Sequence, residues 1–244
     1  MKNIRLDIAY DGSNFFGSQR QSNLRTIQGE IELALFKLLN EKIDLVFAGR
    51  TDRGVHANHQ VVNFTTKSDF PGISYKFKLR KYLPDDILII NSREVSKEFH
   101  ARFDAKIKRY RYIIDNGKIF YPYKKNYSLH IKHDLDIKKM IEASKLLLGR
   151  HDFSAFMKLD HEYKNPIRRL NDISIIKTDN DEIHIEFEAE SFLYNQIRIM
   201  VGLLIDIGRG FRDLNYIKEI FDGKIKRAAK TYGPEGLYLL KIKY

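Results

Sequence analysis

The chain has no cysteine, only 5 proline and 14 glycine in 244 residues, and no uncharged apolar run longer than Ile199 to Ile205. The missing thiols remove disulfides, Cys-ligated zinc, iron–sulfur clusters and cysteine nucleophiles together, and they permit a reducing compartment. The low Gly and Pro content excludes collagen-like and low-complexity chains. An apolar run that short cannot span a bilayer. The opening Met1 to Asp7 carries charges where a signal peptide needs its apolar region, so the cytoplasm is the expected compartment. There is no GxGxxG or Walker loop to suggest a nucleotide cofactor. What the chain does have is 43% hydrophobic and 31% charged residues, the balance of a folded protein with a sizeable core.

Lys and Arg number 43 against 32 Asp and Glu, a formal net charge of +11. That field suits a polyanion, with nucleic acid ahead of an anionic membrane, because neither end carries a basic amphipathic helix. The cations lie in many short clusters, among them Lys124-Lys125, Arg168-Arg169 and Lys224 to Arg227, as expected of a folded basic surface.

Period-two alternation predicts strands at Ile4 to Tyr10, Gln60 to Thr65, Lys108 to Ile114, Asn171 to Ile176 and Glu182 to Glu190, with shorter ones at Leu45 to Phe47, Ile87 to Ile90 and Leu237 to Ile242. Period-3.6 patterns predict helices opened by Thr26, at Ile73 to Tyr82, at Leu135 to Leu148 with Gly149 as C-cap, at Phe192 to about Gly208 and at Leu214 to Phe221. Asp115-Asn116-Gly117 is the best local hairpin signal. Residues 120–133, mixed aromatic and basic, read as irregular. The fold class expected is α+β with antiparallel pairing, in an N-terminal half at 1–120, a connecting segment at 121–133 and a C-terminal half at 134–244.

The segment Ala48 to Ala57 is a polar loop bracketed by Gly49 and Gly54 that sets one carboxylate, Asp52, between Arg50 and Arg53. Nearby positive charge favours an ionised carboxylate, and glycines admit a close ligand backbone, so the loop could present Asp52 to a phosphate-bearing substrate. The plainer account is a turn tied by an Asp–Arg ion pair. Farther on, Arg198 is the only cation before Arg209 in a helix that is apolar nearly all round. It shares a face with Val201, Gly202 and Ile205, and so calls for a buried acceptor: Asp52, Asp206 or a backbone carbonyl. In Phe99 to Tyr112 aromatics and cations interleave, with Tyr110 and Tyr112 on one strand face and Arg109 and Arg111 on the other. Bases stack on rings while cations hold phosphates; core tyrosines beside a solvated basic edge are the alternative. The pairs His56/His59 and His130/His133 lie in strands or loops, and His161-Glu162 lacks a zincin partner, so no metal is expected. His151-Asp152-Phe153 reads as a capping turn and Ser154 lies outside a nucleophile elbow.

The run Gly49-Arg50-Thr51-Asp52-Arg53-Gly54-Val55-His56-Ala57 resembles the tRNA pseudouridine synthase A (TruA) family. So do Tyr10-Asp11-Gly12 with Phe16-Gly17, Phe99 to Phe103, Tyr110-Arg111-Tyr112, His151 to Phe156, Phe192-Leu193-Tyr194 with Arg198, and Gly236 to Leu239. The resemblance implies isomerisation of uridine to pseudouridine at positions 38–40 of the tRNA anticodon stem-loop, without metal or organic cofactor. It implies Asp52 as the catalytic carboxylate, Arg198 as its basic partner, Tyr110 stacked on the target base, and Arg50, Arg53 and His56 as substrate-binding residues. It also implies two similar halves around a central antiparallel sheet with the cleft between them, and a homodimer that shares a tRNA. Ser18, where the family usually has Trp, and Asn195, where His is common, are departures. A non-catalytic RNA-binding protein and a pseudouridine synthase for another RNA site are the competing readings.

Overall fold

A computed structural model describes residues 1–157 and 165–244; the His161-Glu162 pair lies outside the described residues. The chain divides into two compact units, residues 1–106 with 238–244, and residues 107–237. Both are mixed α+β, and their strands pair mostly antiparallel.

The first unit contains β1 (Lys2–Tyr10), α1 (Ile27–Leu39), β2 (Val46–Phe47), β3 (His56–Thr66), α2 (Ser74–Lys78), which continues into a 3-10 turn at Leu79–Lys81, and β4 (Ile87–Val95). Its strands run β4-β1-β3, and the last strand of the chain, which spans Leu237–Lys243, returns to lie parallel to β3 with Tyr238 opposite His56. β1 shows why alternation alone under-reads a strand. Ile4, Leu6 and Ile8 are fully buried, but Asn3, Arg5 and Asp7 on the opposite face are buried too. That second face is covered by the segment around Phe99 and by Tyr244, and each polar group there is answered. Arg5 pairs with Asp7 at 2.7 Å and lies 4.6 Å over the Tyr244 ring, while the Asn3 amide donates to the Ser96 and Phe99 carbonyls. The α1 helix begins where Thr26 accepts from the Gly29 amide at 3.2 Å and ends at Asn40 in the left-handed region.

The second unit contains β5 (Ile107–Asp115), a 3-10 turn at Pro122–Lys124, β6 (Leu129–His130), α3 (Ile137–Leu146), β7 (Gly149–Asp152), a 3-10 turn at Ser154–Phe156, β8 (Ile167–Lys177), β9 (Glu182–Ala189), α4 (Gln196–Gly208) and α5 (Asn215–Phe221). β5, β9, β8 and β7 are antiparallel neighbours in that order, with β6 parallel to the end of β5. The strand at Leu237–Lys243 is β10.

Three sequence expectations change here. Asp115-Asn116-Gly117 closes no hairpin, because β5 takes the distant β9 as its antiparallel partner; the Asn116 side chain instead donates to the Ile131 and His133 carbonyls, both at 2.8 Å. Gly149 does not cap α3, which ends on Leu147; at φ +98° Gly149 opens β7. The α4 helix starts at Gln196 rather than Phe192, because Asn195 is left-handed at φ 63°. Its burial nearly all round is as expected, and the Gly202 face explains it: a Cβ there would come within 2.2 Å of the Lys230 carbonyl, so the 228–232 segment lies directly on the helix.

Candidate active site

The loop from Ala48 to Val55 is held by groups distant in sequence. The Ala48 amide donates to Val61 O, and the Gln60 side chain donates to Gly49 O at 2.9 Å. Thr51 is gripped on both backbone atoms by one residue: the Ser18 amide donates to Thr51 O at 3.0 Å, and the Thr51 amide donates to Ser18 Oγ at 2.9 Å. The Thr51 hydroxyl meets the Tyr10 hydroxyl at 2.8 Å. Burial pushes the Tyr10 phenol up to about 12, so it stays protonated at neutral pH. Past Asp52, the Val55 amide closes a turn onto Asp52 O, and Gly54 takes φ +78°.

The segment that grips this loop can approach because it carries glycine at two points of contact. A Cβ on Gly12 would sit 2.0 Å from the Val55 carbonyl oxygen, and one on Gly17, at φ +97°, would sit 2.9 Å from the Thr51 carbonyl oxygen. Asp52 is half-buried and flanked by the exposed Arg50 and Arg53, the latter 4.3 Å over the Phe16 ring. His56 is buried beneath the loop. It stacks on Tyr238 at 4.6 Å, and its Nδ1 lies 3.1 Å from the Gly12 amide and 3.2 Å from Asp11 Oδ1. The two contacts compete for one nitrogen: unprotonated it accepts from Gly12, protonated it donates to Asp11.

In the second unit, Tyr110 on β5 is buried with its ring edge-on to Phe192 at 5.3 Å. Tyr112 is a core residue: fully buried, its hydroxyl donating to Gly233 O at 2.7 Å, its phenol pushed well above the ordinary value by burial. On the other face of β5, Arg109 and Arg111 remain partly exposed and both meet Glu186, at 3.1 and 2.5 Å, so their charge is partly offset by the neighbouring strand. Arg198 is half-buried on α4. Its Nε donates to Tyr232 O at 2.7 Å, and its Nη1 donates to Asn195 Oδ1 at 3.0 Å. A backbone carbonyl is therefore among its acceptors, and Asn195 is a second that the sequence reading did not weigh.

Sequence reasoning missed Ser18, Thr51 and Tyr10 as a group, since the Ser18–Thr51 bonds join residues 33 apart. Ser18 carried one signal, as a departure inside a matching motif. His151 and Asp152 end β7, with the His151 ring nitrogen Nε2 2.7 Å from Leu148 O; only Asp152 makes the expected turn contact, its carboxylate accepting from the Ser154 amide at 2.7 Å where the 3-10 turn begins. Among the described residues, no three His, Asp or Glu side chains gather as a metal site requires. No helix among them is long and apolar enough to cross a membrane.

Residues 8–104 and 143–244 match the family model described as tRNA pseudouridine synthase. The chain is 43% identical over 245 residues to the tRNA pseudouridine synthase A of Acetivibrio thermocellus, covering 100% of both. It is 43% identical to the tRNA pseudouridine synthase A 2 of Clostridium tetani, covering 100% of this chain and 99% of that one, and 40% identical to the tRNA pseudouridine synthase A of Finegoldia magna, covering 100% of both. The chain belongs to the tRNA pseudouridine synthase family. Within that family it is of the synthase A type, and its activity is that of an isomerase.

Proposed function

We propose that this protein converts uridine to pseudouridine at positions 38–40 of the tRNA anticodon stem-loop, with Asp52 as the catalytic carboxylate. The N1–C1′ bond breaks, the base turns while held, C5 bonds to C1′, the hydrogen at C5 leaves to solvent and N1 takes up a proton. A carboxylate assists by attacking the ribose or the base, or by accepting the C5 proton. Asp52 and Arg198 serve the same nucleotide in this reading, while Tyr110 supplies a ring against which the base packs. Arg50 and Arg53 hold phosphates of the flipped nucleotide. His56 acts from beneath the loop through its contacts to Gly12 and Tyr238. Paired halves with a shared substrate cleft, a homodimer sharing one tRNA, and a cytoplasmic site of action belong to the same reading.

One observation carries the most weight: the loop backbone on both sides of Asp52 is fixed by buried hydrogen bonds while Arg50 and Arg53 are left exposed beside it. A turn needed only for its own stability has no use for that combination. The test is tritium release to water from tRNA carrying 5-³H-uridine, for wild type and Asp52→Asn. Release by wild type alone supports the assignment. Tight tRNA binding by both proteins with release by neither refutes it and favours an RNA-binding protein without catalysis.

A further inference from the structure

Asp52 can act only if its carboxylate is held to within a fraction of an ångström of the reacting atom, and its direction is set by the backbone at Thr51. That backbone is fastened at successive points. Gly49 O accepts from Gln60, Thr51 O and N are both bound by Ser18, and the Thr51 hydroxyl is bound by Tyr10. Ser18, Thr51, Tyr10 and Gln60 are all buried, at 1, 7, 5 and 0% exposure, so water cannot substitute for a lost partner. Between the fastened Gly49 and Thr51 the Arg50 side chain is exposed, and Asp52 directly follows Thr51.

We propose that Ser18 and Tyr10 are positioning residues for the reaction: acting through Thr51, they fix the backbone from which the Asp52 carboxylate projects. Ser18 does this with a small side chain because its Oγ must accept from the Thr51 amide while its own amide reaches the Thr51 carbonyl. In this chain, removing that hydroxyl by Ser18→Ala would leave the buried Thr51 N–H without its acceptor. Tyr10 supplies a hydroxyl that remains protonated and can donate to one neighbour while accepting from another. The inference rests on the assignment of Asp52 as the catalytic carboxylate.

The test measures single-turnover tritium release at saturating enzyme, together with the tRNA dissociation constant and the folded fraction, for Ser18→Ala, Tyr10→Phe, Thr51→Val and Thr51→Ser. Misplacing a catalytic group by about an ångström costs up to about a hundredfold, so Ser18→Ala and Thr51→Val should slow turnover by about ten- to a hundredfold per folded molecule with tRNA affinity kept. Thr51→Ser keeps the hydroxyl and should recover a rate within about threefold of wild type. The inference is overturned if Ser18→Ala and Tyr10→Phe turn over within about twofold of wild type, if the loss only follows the folded fraction, or if Thr51→Ser is as slow as Thr51→Val. Asp52→Asn is run alongside. If it keeps the wild-type rate, the carboxylate assignment fails and this inference fails with it; if it is inactive while Ser18→Ala is normal, only the positioning role fails.

Discussion

Replacing Gly12 by alanine tests the packing that holds the loop. The added Cβ would lie 2.0 Å from the Val55 carbonyl oxygen and 2.5 Å from its carbon. A relaxed contact needs about 3.5 Å, so the two backbones must part by about 1.5 Å, with no flexible side chain to yield instead. Overpacking of this kind costs about 1–3 kcal/mol, and the weakened Gly12 amide bond to His56 adds about 1, for about 2–4 kcal/mol altogether. For a chain of this size that lowers Tm by about 5–15 °C. The measurement is thermal unfolding by circular dichroism, with tritium release per folded molecule beside it. Gly223→Ala is the control: at φ +77° with no atom within 4 Å of the new Cβ, it carries only backbone strain of about 1–2 kcal/mol. A Gly12→Ala protein melting no lower than the Gly223→Ala control would refute the reasoning. Retained stability would mean that the loops separate freely and that their close approach holds nothing in place.

Tyr112→Phe removes the donor to the buried Gly233 carbonyl and should cost about 1–3 kcal/mol in urea unfolding; a midpoint equal to wild type would show that water reaches that carbonyl. The imidazole of His59 is held below its ordinary value, chiefly by burial and further by Arg5 and Lys241, against the pull of Asp7. The unfolded chain therefore binds the proton first. The stability this gives is complete above the unfolded value of about 6.5 and is lost as pH falls through the folded one. Urea unfolding at neutral and at mildly acidic pH should show a fall that His59→Gln reduces, and identical slopes for the two proteins would contradict it. Reversing the exposed Lys224 and Arg227 to Glu should weaken tRNA binding and reduce its salt slope by about one per contact, as followed by filter binding over a salt series. Lys124 behaves differently from its neighbour Lys125, because its ammonium lies 3.3 Å from Asp115 and 3.1 Å from Glu182; Lys124→Ala should lower stability and leave the salt slope alone, whereas a changed slope would put Lys124 on the RNA.

The sequence alone determined most elements of the fold and the identity of the chemistry. Alternation marks β1, β3, β8 and β9, and Thr26 marks the start of α1, because each is a local pattern of side chains meeting one core. The loop around Asp52 stood out for the same reason: a carboxylate between two guanidiniums and two glycines is readable within ten residues. Tertiary structure decided whatever depends on residues far apart. β5 passes over the local hairpin signal at Asn116 because β9 offers a longer ladder, and the polar face of β1 is buried because Phe99 and Tyr244 come to cover it. Arg109 and Arg111 read as a basic edge, and only the pairing with β9 brings Glu186 beside them to offset part of that charge. The grip of Ser18 and Tyr10 on Thr51 is likewise invisible along the chain. A hydrogen bond depends on where folding brings donor and acceptor, and sequence patterns report on neighbours only.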